Sequence, residues 1–230
     1  MTLTFHLEVL ALVRRRALLI GASGLVGSEL LTLLLESDVY KQVTILVRRP
    51  LPVHHEKLRQ VVIDFNKLES YERYFRVDDV FCCLGTTRKK AKTRQQFIQV
   101  DYEYTLRAAV LAEKCRVKSF LTVSALGANP RSLFFYHRVK GETEEALQRL
   151  AIPSLHIFRP SLLLGKRREF RLGEKMAGWL LGRLPFLFVG KWEKYKPVEA
   201  KQLAFAMFCV ATSCQNGTHI YEADQVARIS

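Results

Sequence analysis

Little in this chain of 230 residues marks it for secretion, metal binding or membrane insertion. Its five cysteines, Cys82, Cys83, Cys115, Cys209 and Cys214, are odd in number and form no CxxC pair. Most sit in apolar runs, where a thiol behaves as a small core residue, so a reducing compartment, the cytoplasm, is expected. No group of His and Cys has metal-ligand spacing; His54 and His55 are sequence neighbours rather than residues one helical turn apart. Long hydrophobic runs are also missing. The run from Leu203 ends after Ala211, and Gly178–Gly190 is broken by Arg183 and Pro185, short of the ~20 residues a spanning helix needs. Met1–Val13 has no basic start, carries Glu8 and runs into Arg14-Arg15-Arg16. It reads poorly as a secretory signal, and residues 1–15 are expected to form a leader outside the core. Acidic residues are scarce: 22 Asp+Glu face 36 Lys+Arg, for a net charge of +14. The basic residues cluster at Arg14–Arg16, Arg88–Lys90 and Lys166–Arg168, on separate loops. Such a charge raises nucleic-acid or anionic-membrane association as a reading. Without one continuous stripe, a zinc finger, an RNA-recognition motif or a helix-turn-helix, specific nucleic-acid binding is not expected; the charge reads as a solvated surface partly recruited for an anionic cofactor or substrate.

What is present is 49% hydrophobic and 25% charged residues, the balance of a globular domain with one sizeable core. Short apolar runs alternate with helical patterns, which predicts an α/β fold with a doubly wound, mostly parallel sheet. The strands are expected at Ala17–Ile20, Val43–Val47, Gln60–Ile63, Val80–Leu84, Phe120–Val123, Leu155–Phe158 and His219–Tyr221. Helices are expected at Leu25–Glu36, about Arg94–Lys114, His137–Leu150 and Val198–Val210. In the second, Phe97, Val100, Tyr104, Ala108 and Leu111 recur at helical steps; in the third, Val139, Thr143, Ala146 and Leu150 do so. Residues 16–230 then form a single domain. Residues 162–197, rich in Arg, Lys, Gly and bulky apolar residues, lack clear periodicity and are expected to cover a pocket as a small C-terminal, substrate-side subdomain.

Between the first strand and first helix lies Gly21-Ala22-Ser23-Gly24-Leu25-Val26-Gly27. Gly21 suits the tight turn, Gly24 the close approach of a pyrophosphate, and Gly27 the packing of helix on strand. The helix N-terminus offers N–H groups and partial positive charge to phosphates. The spacing is GxxGxxG rather than GxGxxG, and no GK[ST] follows, which excludes a P-loop. A dinucleotide is therefore the expected cofactor. The second strand ends in Arg48-Arg49 with no carboxylate nearby to bond a ribose 2′-hydroxyl. A guanidinium pair suits a 2′-phosphate, so NADP(H) is expected over NAD(H).

Tyr136 and Lys140 form a YxxxK pair at the start of the helix after the fifth strand, four residues apart and on one helical face. An ammonium beside the phenol favours its ionised form, so Tyr136 is suited to pass a proton to a carbonyl or take one from an alcohol. Lys140 is also suited to bond the nicotinamide ribose. The spacing alone carries little, since about half a match is expected by chance in this composition. Its position carries more, because Ser124 ends the fifth strand on the edge where such sheets bind ligands, placed to hold a substrate oxygen. No GxSxG elbow suggests a serine hydrolase.

With these residues in place the chain resembles the short-chain dehydrogenase/reductase superfamily. More narrowly, it is similar to the atypical, Tat-interacting-protein-like branch of NAD(P)-binding Rossmann proteins. The resemblance rests on Gly21–Gly27, Phe81–Thr87 with its double cysteine, Val123–Ala128, Tyr136–Gly141 and Phe158–Ser161, in matching order over roughly residues 16–165. It implies that Ser23 and Leu25 join the glycines at the phosphates, and that Leu84, Gly85 and Thr86 border the cofactor. It also implies that Asp64 faces the adenine, Arg48-Arg49 the 2′-phosphate, and Pro160 with Ser161 the nicotinamide amide. Longer members place more residues between serine and tyrosine and carry a larger substrate domain, so a small or medium carbonyl or alcohol is expected rather than a sugar nucleotide. Arg167, Arg168 and Arg171 suit an anionic substrate or pairing with neighbouring carboxylates, whereas Trp179–Leu181 and Leu184–Phe188 suit ordinary core first, then an apolar substrate cleft, a dimer or other homo-oligomer contact, or a membrane-facing lid. Two functions remain: an NADP(H)-dependent oxidoreductase, or an NADPH-binding regulatory protein with little turnover.

Overall fold

The computed structural model describes residues 14–86, 91–165, 195–213 and 215–229. In chain order the elements are β1 (Arg15–Ile20), α1 (Leu25–Glu36), β2 (Tyr40–Val47), β3 (Leu58–Val62), a 3₁₀ segment (Phe65–Phe75) and β4 (Asp79–Cys82). Then come α2 (Arg94–Ile98), a π-helical turn (Gln99–Glu103), α3 (Tyr104–Lys114), β5 (Ser119–Val123), α4 (Phe135–Gln148) and β6 (Ser154–Arg159). The chain ends with β7 (Leu163–Leu164), β8 (Val198–Glu199), α5 (Ala200–Thr212), β9 (Gly217–Glu222) and α6 (Ala223–Ile229). Seven strands make one sheet in the order β3-β2-β1-β4-β5-β6-β9, every neighbouring pair parallel. Strand order reverses between β1 and β4, which opens a crevice at the carboxyl ends of those two strands.

β1 is apolar throughout its central residues because both of its faces are covered. Ala17 and Leu19 pack with Leu30 and Leu34 of α1 and Leu203 and Met207 of α5, whereas Leu18 and Ile20 pack with Ala108 and Leu111 of α3 and Leu147 of α4. The expected doubly wound sheet is thus present, and the differences are local. β1 begins at Arg15, the last residue assigned to the leader; residues 1–13 lie outside the described residues, as do 166–194, most of the expected pocket cover. The short β7 and β8 pair in parallel on either side of that segment. Val198–Glu199 is therefore strand, and the helix expected from Val198 starts at Ala200. The 3₁₀ segment and α6 were not expected, although Phe65, Leu68 and Phe75 recur at steps close to helical and are all buried.

The helix expected over Arg94–Lys114 is interrupted by the π turn, whose extra residue rotates the following face and buries Asp101 and Thr105 beside Phe97 and Ala108. On α4 the buried face holds Val139, Lys140, Gly141, Thr143, Glu144 and Leu147. Ala146 and Leu150, expected on that face, are only partly buried. Two charged residues have displaced them because each has a charged partner inside.

At the opposite, amino-terminal end of the strands a buried carboxylate ties four strands together. Asp79 opens β4 and takes the Arg15 guanidinium from β1, the Tyr40 hydroxyl from β2 at 2.9 Å and the Ser119 hydroxyl from β5 at 2.5 Å. Arg15 Nη1 also donates to the Ala211 carbonyl of α5 at 2.7 Å. Burial pushes Asp79 up to about 6 against the opposing pull of Arg15. At the sheet's edge, fully buried His156 meets the Ser154 hydroxyl at 2.7 Å and the Tyr221 hydroxyl at 3.1 Å, with the His219 ring stacked on it at 5.3 Å. Burial, aided by His219, lowers His156 to about 4.

Two stability measurements check these networks. Asp79→Ala leaves the Arg15 guanidinium buried without its carboxylate and is expected to cost about 3–5 kcal/mol in urea unfolding. His156 is neutral in the fold but protonates near pH 6.5 when unfolded, so its contribution is complete above pH 6.5 and lost as pH falls through 4. Asp79, with its raised value, acts in the opposite direction between about pH 4 and 6. His156→Gln is therefore expected to lose on the order of 2 kcal/mol less than the parent between pH 6.5 and 4, each relative to its own value at neutral pH.

Candidate functional site

The crevice at the β1/β4 junction is built from backbone that no side chain crowds. Gly21 follows β1 with φ +89°, and a Cβ there would lie 2.5 Å from the Cys83 carbonyl oxygen just beyond β4. A Cβ on Gly27 would lie 2.2 Å from the Gly21 carbonyl oxygen. The turn, the first turn of α1 and the end of β4 are therefore pressed together at distances only glycine permits. Gly24 is different. It is exposed, its nearest neighbour would be 3.2 Å from an added Cβ, and as the N-cap of α1 it supplies no side-chain cap. The first turn of α1 holds no acidic residue, so among the described residues its N–H groups and positive end face the crevice without a side-chain cap. Ser23 is exposed beside Gly24, and Leu25 is half-buried. This cradle fits a pyrophosphate, as a nicotinamide dinucleotide would require.

On one side of the cradle, Arg48 and Arg49 are exposed just past β2, and neither has an ion-pair partner among the described residues. Asp64 caps the 3₁₀ segment, accepting from Asn66 N at 2.9 Å. Tyr104 joins this end of the site: its hydroxyl donates to Asn66 Oδ1 at 2.7 Å, and Gln99 Nε2 donates to the same oxygen at 3.0 Å. Burial raises the Tyr104 phenol; the Asp64 carboxylate adds to the rise, and the Arg107 guanidinium, with a smaller pull from Arg48, opposes it. Tyr104 and Asn66 were not anticipated.

On the other side, α4 presents Tyr136, Lys140 and Glu144 at four-residue steps. Lys140 is buried, donates to the Val123 carbonyl at 3.3 Å and meets Asp101 Oδ1 at 2.8 Å. Burial alone would lower the ammonium, but the Asp101 carboxylate and then the Tyr136 phenol raise it well above the usual lysine range. Asp101 Oδ2 accepts from Thr86 N at 2.9 Å, so one carboxylate holds both the lysine and the Leu84-Gly85-Thr86 segment beyond β4. An added Cβ on Gly85 would find only Asp101, at 3.8 Å. Tyr136 is half-buried, its ring 5.6 Å from Phe97 and 5.6 Å from His137. The double cysteine is packing: burial pushes both the Cys82 and Cys83 thiols up.

Ser124 is buried at the end of β5, with its N–H donating to the Phe158 carbonyl at 2.7 Å. Its hydroxyl donates to Glu144 rather than facing the crevice freely, and Glu144 is clasped by Arg159, whose Nε lies 3.0 Å from both carboxylate oxygens. Pro160 accepts from Leu126 N at 2.9 Å, and the Ser161 hydroxyl donates to the Lys196 carbonyl. The sites implied by sequence thus gather at one sheet edge, but two of the hydroxyls are already engaged. Asp101, Glu144 and Arg159 were missed. The helical spacing of Tyr136, Lys140 and Glu144 was the available signal for Glu144; Asp101 had none, because its burial depends on the π turn.

The sheet order, the glycine cradle and the Tyr136–Lys140 face define an NAD(P)-binding Rossmann protein of the short-chain dehydrogenase/reductase type. Residues 21–163 match the NAD(P)H-binding family model. Protein HTATIP2 of Rattus norvegicus is 42% identical over 171 residues, covering 73% of this chain and 70% of that protein. Protein FMP52, mitochondrial, of Debaryomyces hansenii is 35% identical over 155 residues, covering 66% and 69%. Among solved structures, the Bordetella bronchiseptica enzyme WbmH in complex with NAD+ superposes with a TM-score of 0.70 at 16% identity, covering 91% of this chain and 76% of that one. MoeE5 in complex with UDP-glucose and NAD gives 0.68 at 17% identity, covering 93% and 80%; at these identities both show the fold alone. The chain belongs to the atypical, HTATIP2-like short-chain dehydrogenase/reductase family.

Gly24 separates a glycine that the fold requires from one that a bound dinucleotide would require. Gly24→Ala is expected to shift stability by less than about 1 kcal/mol while weakening dinucleotide binding at least about tenfold, as read by thermal unfolding and quenching of coenzyme fluorescence.

Proposed function

We propose that this protein is an NADP(H)-dependent oxidoreductase that reduces a small or medium carbonyl compound or oxidises the corresponding alcohol. The observation that carries this reading is the position of Asp101, which ties Lys140, beneath Tyr136, to Thr86 at the edge of the glycine cradle. This contact supports a reading in which the groups for proton transfer and for coenzyme binding are held together by one carboxylate. The Gly21–Gly27 turn would hold the pyrophosphate, and Arg48 with Arg49 would form charge-assisted bonds to a 2′-phosphate. The backbone of Leu84–Thr86 and Pro160 would flank the ring systems, and Lys140 would reach the nicotinamide ribose. A bound nicotinamide would supply hydride to the substrate carbon or accept it from there. Tyr136 gives its proton to the carbonyl oxygen as that charge develops, or takes the alcohol proton in the reverse direction. The Lys140 ammonium stabilises the negative charge left on the Tyr136 oxygen. Ser124 holds the substrate oxygen once its hydroxyl turns from Glu144.

A second reading, an NADPH-binding regulatory protein with little turnover, is favoured by that last contact: the Ser124 hydroxyl is committed to a carboxylate that Arg159 clasps. Because yeast relatives are named as mitochondrial, both the cytoplasm and the mitochondrion are compartments to examine.

The two readings separate in one experiment. Wild type is expected to bind NADPH at least about tenfold more tightly than NADH, and Arg48→Asp to abolish that preference. Over a panel of aldehydes and ketones, wild type oxidises NADPH, and Tyr136→Phe lowers the rate at least about 100-fold with coenzyme binding intact. Equal affinity for the two coenzymes contradicts the NADP assignment; tight binding without turnover selects the regulatory reading.

A further inference from the structure

The loop that leads into α4 holds two large apolar side chains in water. Leu133 is 95% exposed and Phe134 74% exposed. They are not at the end of a loose segment. Gly141 of α4 lets the backbone of Asn129 and Pro130 lie where a Cβ would come within 2.2 Å, which docks the loop against the helix. Asn129 Oδ1 accepts from Arg131 N at 2.8 Å, the Asn129 carbonyl accepts from Ser132 N at 3.0 Å, and the Ser132 hydroxyl accepts from Phe134 N at 3.2 Å. Arg138 Nη1 closes the turn by donating to the Ser132 carbonyl at 3.2 Å. The fold fixes this apolar pair outward, two and three residues before Tyr136, at the rim of the proposed site.

Three arginines flank the loop that carries the pair. Arg131 precedes it and is exposed, Arg138 is bound beneath it, and the Arg94 guanidinium lies 5.3 Å from the centre of the adjoining Phe135 ring. The one carboxylate that contacts this group among the described residues, Glu142, stands 3.9 Å from Arg138. A convex tip with two adjacent apolar side chains and flanking arginines matches a lipid interface. The apolar tip enters the acyl boundary while guanidinium groups stay with anionic headgroups. A protein partner of comparable affinity would require a broader and flatter apolar surface.

We propose that the Asn129–Phe135 loop docks this protein reversibly on an anionic phospholipid bilayer, with the mouth of the site turned toward the lipid. The net charge of +14 supplies long-range attraction, and Leu133 and Phe134 supply the local anchor. This proposal does not depend on turnover.

The test is flotation of the full chain with phosphatidylcholine vesicles and with vesicles containing about 30% phosphatidylserine, for wild type, Leu133→Ser/Phe134→Ser and Arg131→Glu. Thermal unfolding and NADPH binding, measured alongside, show that each variant is folded. Wild type is expected to float with the anionic vesicles at least about tenfold more than with the neutral ones. The apolar double variant loses that binding, and Arg131→Glu weakens it by about threefold to tenfold. Flotation of the double variant like wild type would show adhesion by charge alone and overturn the proposal. So would failure of wild type to float, or a change from dimer to monomer in the double variant with vesicle binding unaltered, which would assign the pair to a second copy of the chain.

Discussion

The crevice of this protein is built on a backbone approach that only glycine permits, between a turn and a strand end. Gly21, leaving β1, passes so near Cys83 beyond β4 that even a methyl group would collide, and Gly27 repeats the condition against Gly21 itself. Everything at the crevice follows from that approach. It brings the positive end of α1 to the place where strand order reverses, and it sets the Leu84–Thr86 segment beside it. An anionic ligand there would meet oriented N–H groups that, among the described residues, no side chain caps.

The second organising feature is buried charge on α4. A helix face that displays Lys140 and Glu144 inward would be unstable by itself, since an unpaired ion in the interior is strongly disfavoured. Asp101 from the π turn and Arg159 from the end of β6 resolve this, one pair on each side of Ser124. The two pairs also divide the chemistry. The Asp101 pair holds a cation under the phenol, whereas the Glu144 pair restrains the serine hydroxyl. In the proposed reaction, the first is part of the standing site and the second must yield when a substrate oxygen arrives.

Much of this was legible in the sequence, because strands buried on both faces and a glycine turn between strand and helix leave unambiguous local patterns. Gly21–Gly27, Arg48-Arg49, Ser124, Tyr136 and Lys140 all lie at the carboxyl edge where the pattern puts them. What escaped was set by tertiary contact. Asp101 reads as an ordinary polar residue of a long helix until the π turn rotates it inward, and Glu144 reads as surface charge until Arg159 is brought across from another strand. The short β8 escaped because two residues carry no periodicity, and the 3₁₀ segment because its backbone is interrupted at Lys67 and Tyr71, so that no regular helical repeat runs through it.

The most direct measurement of the central claim is a crystallographic map of the protein grown with NADP+. The account predicts continuous density with the pyrophosphate over Gly21–Gly27, the 2′-phosphate against Arg48 and Arg49, and the nicotinamide ring within reach of the Tyr136 hydroxyl. A vacant glycine turn, or a ring lodged away from Tyr136, would contradict it.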